Sequence, residues 1–350
     1  MRSWIVTGAR APVALDLARA LRSAGEDVHL ADSVTPFAAK GLRPRIPIHR
    51  LPAPRGDFAG FRKALLALLD RIGGALVLPT CEEVFWLAEA ARRDGWSDRL
   101  LAPPPALLRT LHSKAEFAAL AASLDLNPPE TRVFDGAFHA GDLPFAPQDL
   151  VLKPEFSRFA TATLIGPAAD DIPAIRPSPQ RRWVAQRRVQ GDEFCSWAFA
   201  FAGRITAFAA YRPRWRQGKA AAFQMEAVEL PALRAISERI AAATGMTGHL
   251  AFDAIVEADG CVRPIECNPR AVSGLHLFDA KAELATALTG SVILPEPPAG
   301  TLRHLAPAMA LLGLPQALLS GRGRGLLEDW RAGIDGIERE GQGLVPLGGL

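Results

Sequence analysis

Two carboxylates and a side-chain amide are spaced to hold a divalent cation. Asp253 and Glu266 lie within the tract FDAIVEADGCVRPIECNPR, and Asn268 follows Glu266 by two positions. Asp259-Gly260 sits between alternating apolar runs, so the tract reads as a β-hairpin with a tight turn. Residues two apart on a strand share a face, which groups Glu266 with Asn268, and the turn folds both back towards Asp253. Arg270, two further on, joins that face if the strand continues through Pro269. Hard oxygen donors of this kind suit Mg²⁺ bridging phosphates. A solvated hairpin face with scattered polar residues is the competing reading of these positions alone.

Cations stand where a polyanion would need them. The chain has 40 Lys+Arg, yet its lysines are only Lys40, Lys63, Lys114, Lys153, Lys219 and Lys281, so a retained ammonium suggests a need for a compact charge. Lys153 ends the apolar strand DLVLKP, where its ammonium can reach a ligand at a sheet edge. Lys114 opens a helix capped by Ser113, with Glu116 completing a capping-box pattern. The helix dipole disfavours a cation there unless an anionic ligand is close, and an ordinary surface lysine is the alternative. In VAQRRVQGDEF, Gln186 to Val189 reads as an extended linker and Gly191 as a turn before Glu193. Such a linker can offer backbone groups to a purine edge while Glu193 accepts from ribose hydroxyls. Arg212, Arg214, Arg216 and Lys219 form either a loop closing over phosphate or a solvated basic loop. Cys267 should face away from Glu266, and His276 either lines an acceptor pocket or is structural.

The elements that must position these groups follow from hydrophobic periodicity. Trp4 to Thr7 is a short strand broken by Gly8, then Val13, Leu17, Ala20 and Leu21 mark one helical stripe ending at Gly25. A strand ending at Asp32, a helix FAGFRKALLALLDRI and a strand Ala75 to Thr80 complete a doubly wound α/β opening. Later come the strands DLVLKP and WVAQRRV, antiparallel strands in FCSWAFAFAGRITAFAAY turning at Gly203, and the helix PALRAISERIAAATG. From about Glu296 the chain is Leu/Gly/Arg-rich with weaker periodicity.

Composition sets limits. The chain has 350 residues, 40 Lys+Arg against 37 Asp+Glu, and a net charge of +3, too balanced for a nucleic-acid or polybasic membrane protein. Hydrophobic residues make up 49%, which excludes wholesale disorder and supports two or three packed units. No apolar run approaches the ~20 residues that cross a bilayer. Cys81, Cys195, Cys261 and Cys267 form no CxxC pair and read as reduced thiols of a cytoplasmic protein.

Taken in order, Lys114, Lys153, QRRVQGDE, Asp253 and ECNPR resemble the ATP-grasp superfamily over roughly residues 1–280. That family includes D-alanine–D-alanine ligase, biotin carboxylase and carbamoyl-phosphate synthetase. The resemblance implies an α/β and α+β chain in which an N-terminal doubly wound domain (1–102) precedes a two-lobed ATP-grasp fold. The lobes would be a small one (103–185) and a large one (186–295), followed by a tail (296–350) of unassigned role. It further implies that Lys114 and Lys153 bind ATP phosphates; Ser157 and Arg158 could supply donors in place of the family's glycine-rich lid, and Lys219 could join them if its basic loop closes over phosphate. Gln186 and the backbone of Arg187 and Val189 would hold adenine, and Glu193 the ribose. Asp253, Glu266 and Asn268 would carry Mg²⁺ or Mn²⁺. Lys153, Arg158 and Arg270 would be catalytic, Arg270 at a substrate carboxylate or an oxyanion.

The implied reaction is ATP-dependent carboxylate–amine ligation through an acyl phosphate, releasing ADP and phosphate. The partners would be a small carboxylic acid and an amino-acid-like amine, with no nucleic acid or membrane, and a homodimer as a possible assembly. A bicarbonate-activating enzyme and a non-catalytic ATP-binding protein are the alternatives. The departures bear on this: PEFSRFATATL, after Lys153, lacks the glycines of the usual phosphate lid. Gln186 stands for the usual Glu, and Ala251 replaces an arginine of some dipeptide ligases, leaving that role to His249 or Arg270.

Overall fold

The computed structural model describes residues 1–157, 162–168, 171–172, 175–216 and 222–336. Its first unit is a parallel sheet of β1 (Ser3–Thr7), β2 (Asp27–Asp32), β3 (Ile48–Arg50) and β4 (Leu76–Leu78), in the order β3-β2-β1-β4. Helix α1 (Pro12–Ser23) packs on one face of it, and α2 (Phe58–Ile72) and α3 (Glu83–Asp94) on the other. The doubly wound opening is therefore present. Helix α1 starts with Pro12 in its first turn, a position that needs no amide donor. It is buried over Val13 to Leu21, well beyond the expected single stripe. Its second buried face belongs to a core that also contains Trp197, Phe199 and Leu288, so the first unit is fused to the large sheet.

Helices α4 (Pro105–His112) and α5 (Lys114–Ser123) lead to a small antiparallel sheet. Its strands β5 (Thr131–Phe134), β6 (Leu150–Pro154), β7 (Leu164–Ile165) and β8 (Trp183–Arg187) run in the order β5-β8-β6-β7. The large sheet holds β9 (Asp192–Phe201), β10 (Arg204–Arg216), β11 (Ala222–Val228), β12 (Gly248–Val256) and β13 (Val262–Asn268). Helices α6 (Pro231–Thr244) and α7 (Ala282–Leu288) cover its opposite faces. The described part of the segment after 296 completes this sheet. Strands β14 (Leu302–His304) and β15 (Ile334–Asp335) extend its edge in the order β13-β12-β9-β10-β11-β14-β15. Between them run α8 (Ala306–Ala308), a π-helical turn (Met309–Gly313), α9 (Leu314–Leu319) and α10 (Gly323–Ala332).

Period-two alternation assigns the two faces of the large sheet. Ala198, Ala200, Phe208, Phe252 and Cys267 join the core under α6. Cys195, Trp197, Ala209 and Tyr211 face α1 and α7. Both faces are covered, which explains why FCSWAFAFAG is apolar almost throughout. The β9–β10 turn is built on Ala202 and Gly203, both at positive φ (49° and 79°), as a two-residue hairpin requires. Gly274 serves a different need: a Cβ there would lie 2.9 Å from the Trp197 Cβ. Its absence lets the segment Ser273–Leu277 lie flat on the sheet. No helix among the described residues is long and apolar enough to cross a membrane.

Candidate active site

The hairpin forms as its sequence requires, with Glu257 and Cys261 closing the turn at 2.9 Å and Gly260 at φ 86°. Asp253 lies directly across from Glu266, and Ala251 across from Asn268. All three polar side chains therefore share the face that carries Cys195, which is opposite Asp253 on β9. Cys267 is buried in the core on the other face, as its position predicts. Burial and the neighbouring Glu266 charge together raise the Asp253 pKa above the usual carboxylate range. Such mutual repulsion is what a cation between the groups would relieve.

No group of three His, Cys, Asp or Glu side chains among the described residues could by itself hold a metal ion. The donors here are two carboxylates and an amide, which fits a cation whose remaining ligands are phosphate oxygens and water. The Asn268 Nδ2 faces Asp253 Oδ2 at 3.4 Å, and its Oδ1 accepts from Arg270 Nη2 at 3.2 Å. Ligation by Asn268 therefore requires the amide to turn over and release Arg270.

Two lysines flank these carboxylates. Lys114 is only 2% exposed and its Nζ lies 3.3 Å from Glu266 Oε2. Lys153, on β6 of the small sheet, donates to the Ile265 carbonyl at 3.4 Å, crossing between the two sheets. Burial lowers the Lys153 pKa to about 8, against the raising influence of Glu266. Glu155 fixes the frame that holds both: it accepts from Ser113 Oγ at 2.5 Å and from two Arg182 nitrogens at 2.7 and 2.6 Å. Only half of the capping box forms. Ser113 accepts from the Glu116 amide at 3.0 Å, but the Glu116 carboxylate turns to Arg109 at 3.0 Å. The Ser157 carbonyl accepts from Lys114 Nζ at 3.5 Å.

A cavity of about 650 Å³ opens above this face, lined at one end by Lys153, Gln186, Val189 and Glu193. Gln186 is buried and donates through Nε2 to Thr131 Oγ1 at 3.1 Å, which turns its Oε1 into the acceptor end. The Arg187 N–H is engaged by the Glu130 carbonyl at 2.9 Å, so only its carbonyl can serve a ligand. Strand β8 runs through Arg187, so the extended linker is shorter than Gln186 to Val189. Gly191 is required by close approach: a Cβ there would lie 2.1 Å from the Val256 carbonyl oxygen. Glu193 holds Arg216 through both oxygens, at 2.5 and 2.8 Å.

Strand β13 ends at Asn268, so Arg270 is not reached by a continuing strand. It still lines the cavity, and its Nε lies 3.0 Å from Glu82 Oε1. Glu82 precedes α3 at the C-terminal end of a parallel strand, the place where open α/β sheets bind ligands. Glu82 and His112 are contributions that the sequence reading missed. The pair Glu82-Glu83 after a buried strand was the available signal. The His112 ring sits 5.0 Å from Phe85 and 5.8 Å from Phe156, and burial lowers its pKa to about 4.

The overall arrangement has solved counterparts. L-amino acid ligase from Bacillus licheniformis superposes with a TM-score of 0.59 at 15% identity, covering 84% of this chain and 78% of that one. N5-carboxyaminoimidazole synthetase from Staphylococcus aureus, complexed with ADP, gives 0.68 at 10% identity, covering 89% and 84%. Phosphoribosylamine–glycine ligase from Thermotoga maritima gives 0.61 at 14% identity, covering 86% and 78%. The chain has the ATP-grasp fold. No protein-family model matches the sequence, and no curated protein does.

Within this ATP-grasp fold several expected residues lie elsewhere. His249 does not take the role left open by Ala251: it is 2% exposed, accepts from Trp197 Nε1 at 3.2 Å, and burial lowers its pKa to about 3. Arg212 and Arg214 belong to β10, not to a loop, and pair with Asp192 and with Glu226 and Asp329. Arg216 alone of that cluster's described residues lines the cavity. Arg158 and Lys219 lie outside the described residues. His276 borders the cavity yet is held by Asp16 at 2.8 Å, which favours the structural alternative.

Proposed function

We propose that the chain is an ATP-dependent carboxylate–amine ligase that forms an amide bond through an acyl phosphate. The observation that carries this reading is the opposed pair Asp253 and Glu266, flanked by the buried Lys114 and Lys153 and facing the same cavity as Arg270. A site that only bound nucleotide would have no need of that last guanidinium. The neighbours in fold are named as an amino acid ligase, a carboxyaminoimidazole synthetase and a glycine ligase, which supports C–N bond formation with ATP. Lobes 103–185 and 186–295 act as the jaws on ATP in this reading, with 1–102 completing the acceptor side.

Each group then has a task. Gln186 Oε1, the Arg187 carbonyl and the Val189 backbone hold adenine, and Glu193 holds ribose while restraining Arg216. Mg²⁺ held by Asp253, Glu266 and Asn268 would neutralise charge on the β- and γ-phosphates. Lys153 and Lys114 follow the charge of the transferring phosphoryl group. An oxygen of the first substrate's carboxylate attacks the γ-phosphorus, and the bond to the β-phosphate oxygen breaks to release ADP. The amine then attacks the acyl carbon, the phosphate leaves with that carboxylate oxygen, and the nitrogen loses a proton. Arg270 stabilises the oxyanion that forms between these events.

Lys153 supplies a direct test. Its ammonium is protonated below about pH 8 in the free protein, and only that form attracts phosphate. ATP affinity should therefore be greatest below pH 8 and fall as pH rises through it. At pH 8.5 binding should take up protons, read by calorimetry as a dependence of the heat on the buffer's ionisation enthalpy. Lys153→Met should abolish the uptake. An affinity unchanged from pH 7.5 to 9.5 would remove Lys153 from the phosphate site.

A further inference from the structure

Part of the cavity lining is apolar. Val13 of α1, Phe223 of β11, Val272, and Leu305, Ala308 and Leu312 of the C-terminal segment make up this part. Leu305 precedes α8, Ala308 ends it and Leu312 lies in the π-helical turn that follows. Hydrogen bonds join these elements into one wall: Ser273 Oγ donates to the Ala222 carbonyl at 2.9 Å, and the Leu305 amide to the Phe223 carbonyl at 2.8 Å. The polar atoms here are engaged by the protein itself. Ser273 is used in that way, His276 meets Asp16 at 2.8 Å, and Thr80 Oγ1 donates to the Thr7 carbonyl at 2.8 Å. The Cys81 thiol, pushed up to about 12 by burial, is neutral and behaves as a small apolar group. Among the described residues lining the cavity here, the guanidinium groups are Arg270, 3.0 Å from Glu82, and Arg216, opposite Ala222 and held by both oxygens of Glu193.

We infer that this wall selects an acceptor substrate with an apolar side chain and no phosphate group, an amino acid of the leucine or phenylalanine kind. The inference rests on the ligase reading and specifies its substrate class. A phosphorylated acceptor needs several donors or cations around its dianion, and the guanidinium groups that the described residues offer here, Arg270 and Arg216, are each already held by a carboxylate. An acidic or strongly hydrated side chain would be desolvated against Phe223, Val272 and Leu312 without a partner. An apolar side chain gains from the same burial. The C-terminal segment thus acquires a role as one wall of the acceptor pocket.

The test is ATP-dependent phosphate release with all pairs drawn from L-alanine, L-leucine, L-phenylalanine, L-serine, L-aspartate and O-phospho-L-serine. Pairs containing leucine or phenylalanine should turn over at least about tenfold faster than pairs confined to serine, aspartate and phosphoserine. Leu312→Asp places a charge at a position already 39% exposed, so the fold should tolerate it. It should lower kcat/KM for leucine and phenylalanine about tenfold with ATP affinity unchanged, and Ala308→Asp should do the same. Equal rates for aspartate, phosphoserine and leucine would overturn the pocket assignment and leave the ligase reading standing. Phosphate release with no pair at all, from protein that still binds ATP, would overturn both.

Discussion

Glu266→Gln should reduce ADP formation by about two to three orders of magnitude while leaving the protein folded. The substitution removes one of two charges that face each other across β12 and β13. A neutral amide keeps the shape and can still accept from Lys114, now 3.3 Å from the carboxylate, so the buried ammonium is not stranded. What is lost is the charge that, in the proposed reading, would hold a divalent cation against the phosphates. The Mg²⁺ concentration giving half-maximal rate should therefore rise, and ATP affinity should change far less than turnover. Steady-state kinetics across a Mg²⁺ titration, with melting temperature as the control, reads all three. Turnover within a few-fold of the unsubstituted protein would mean that the opposed carboxylates do not carry the metal.

Arg270→Lys is expected to separate ligation from nucleotide binding. Arg270 meets Glu82 through Nε, Asn268 through Nη2, and the Ala271 carbonyl through Nη1. Lysine retains the charge but cannot span these partners with a planar fork. Amide formation should fall about a hundredfold or more, with ATP affinity within about threefold of the original. Glu82→Gln keeps the guanidinium but loosens its hold, and a milder loss in turnover should follow. If Arg270 only braces the segment after β13, both substitutions should lower the melting temperature and spare product formation.

Much of the face that carries Asp253, Glu266 and Asn268 was legible in sequence because local rules determine it. Asp259-Gly260 sets the turn, and a spacing of two sets the shared face, so the opposition of Asp253 and Glu266 needs no distant contact. The Ser113 cap positioned Lys114 for the same reason. Groups set by tertiary packing were not legible. Glu82 reaches Arg270 through the packing of the first unit against the large sheet, and the sequence places the two far apart. Arg216 looked like one of a basic cluster until β10 aligned it with Glu193 and turned Arg212 and Arg214 to other acids. His249 could not be told from a site histidine, since its alternation put it on a strand face whose burial by Trp197 and Phe199 is a property of the whole sheet. Strands β14 and β15 are three and two residues long, too short for periodicity to register, and they form because β11 offers an edge.

The acyl phosphate is the centre of this account, and oxygen tracing tests it most directly. The substrate pair that supports turnover would be supplied with both oxygens of the first acid's carboxylate labelled with ¹⁸O, together with Mg²⁺ and ATP. The account predicts ADP and inorganic phosphate in equal amounts with amide product, and one ¹⁸O in each phosphate. Phosphate without label, or AMP and pyrophosphate in place of ADP, would contradict it.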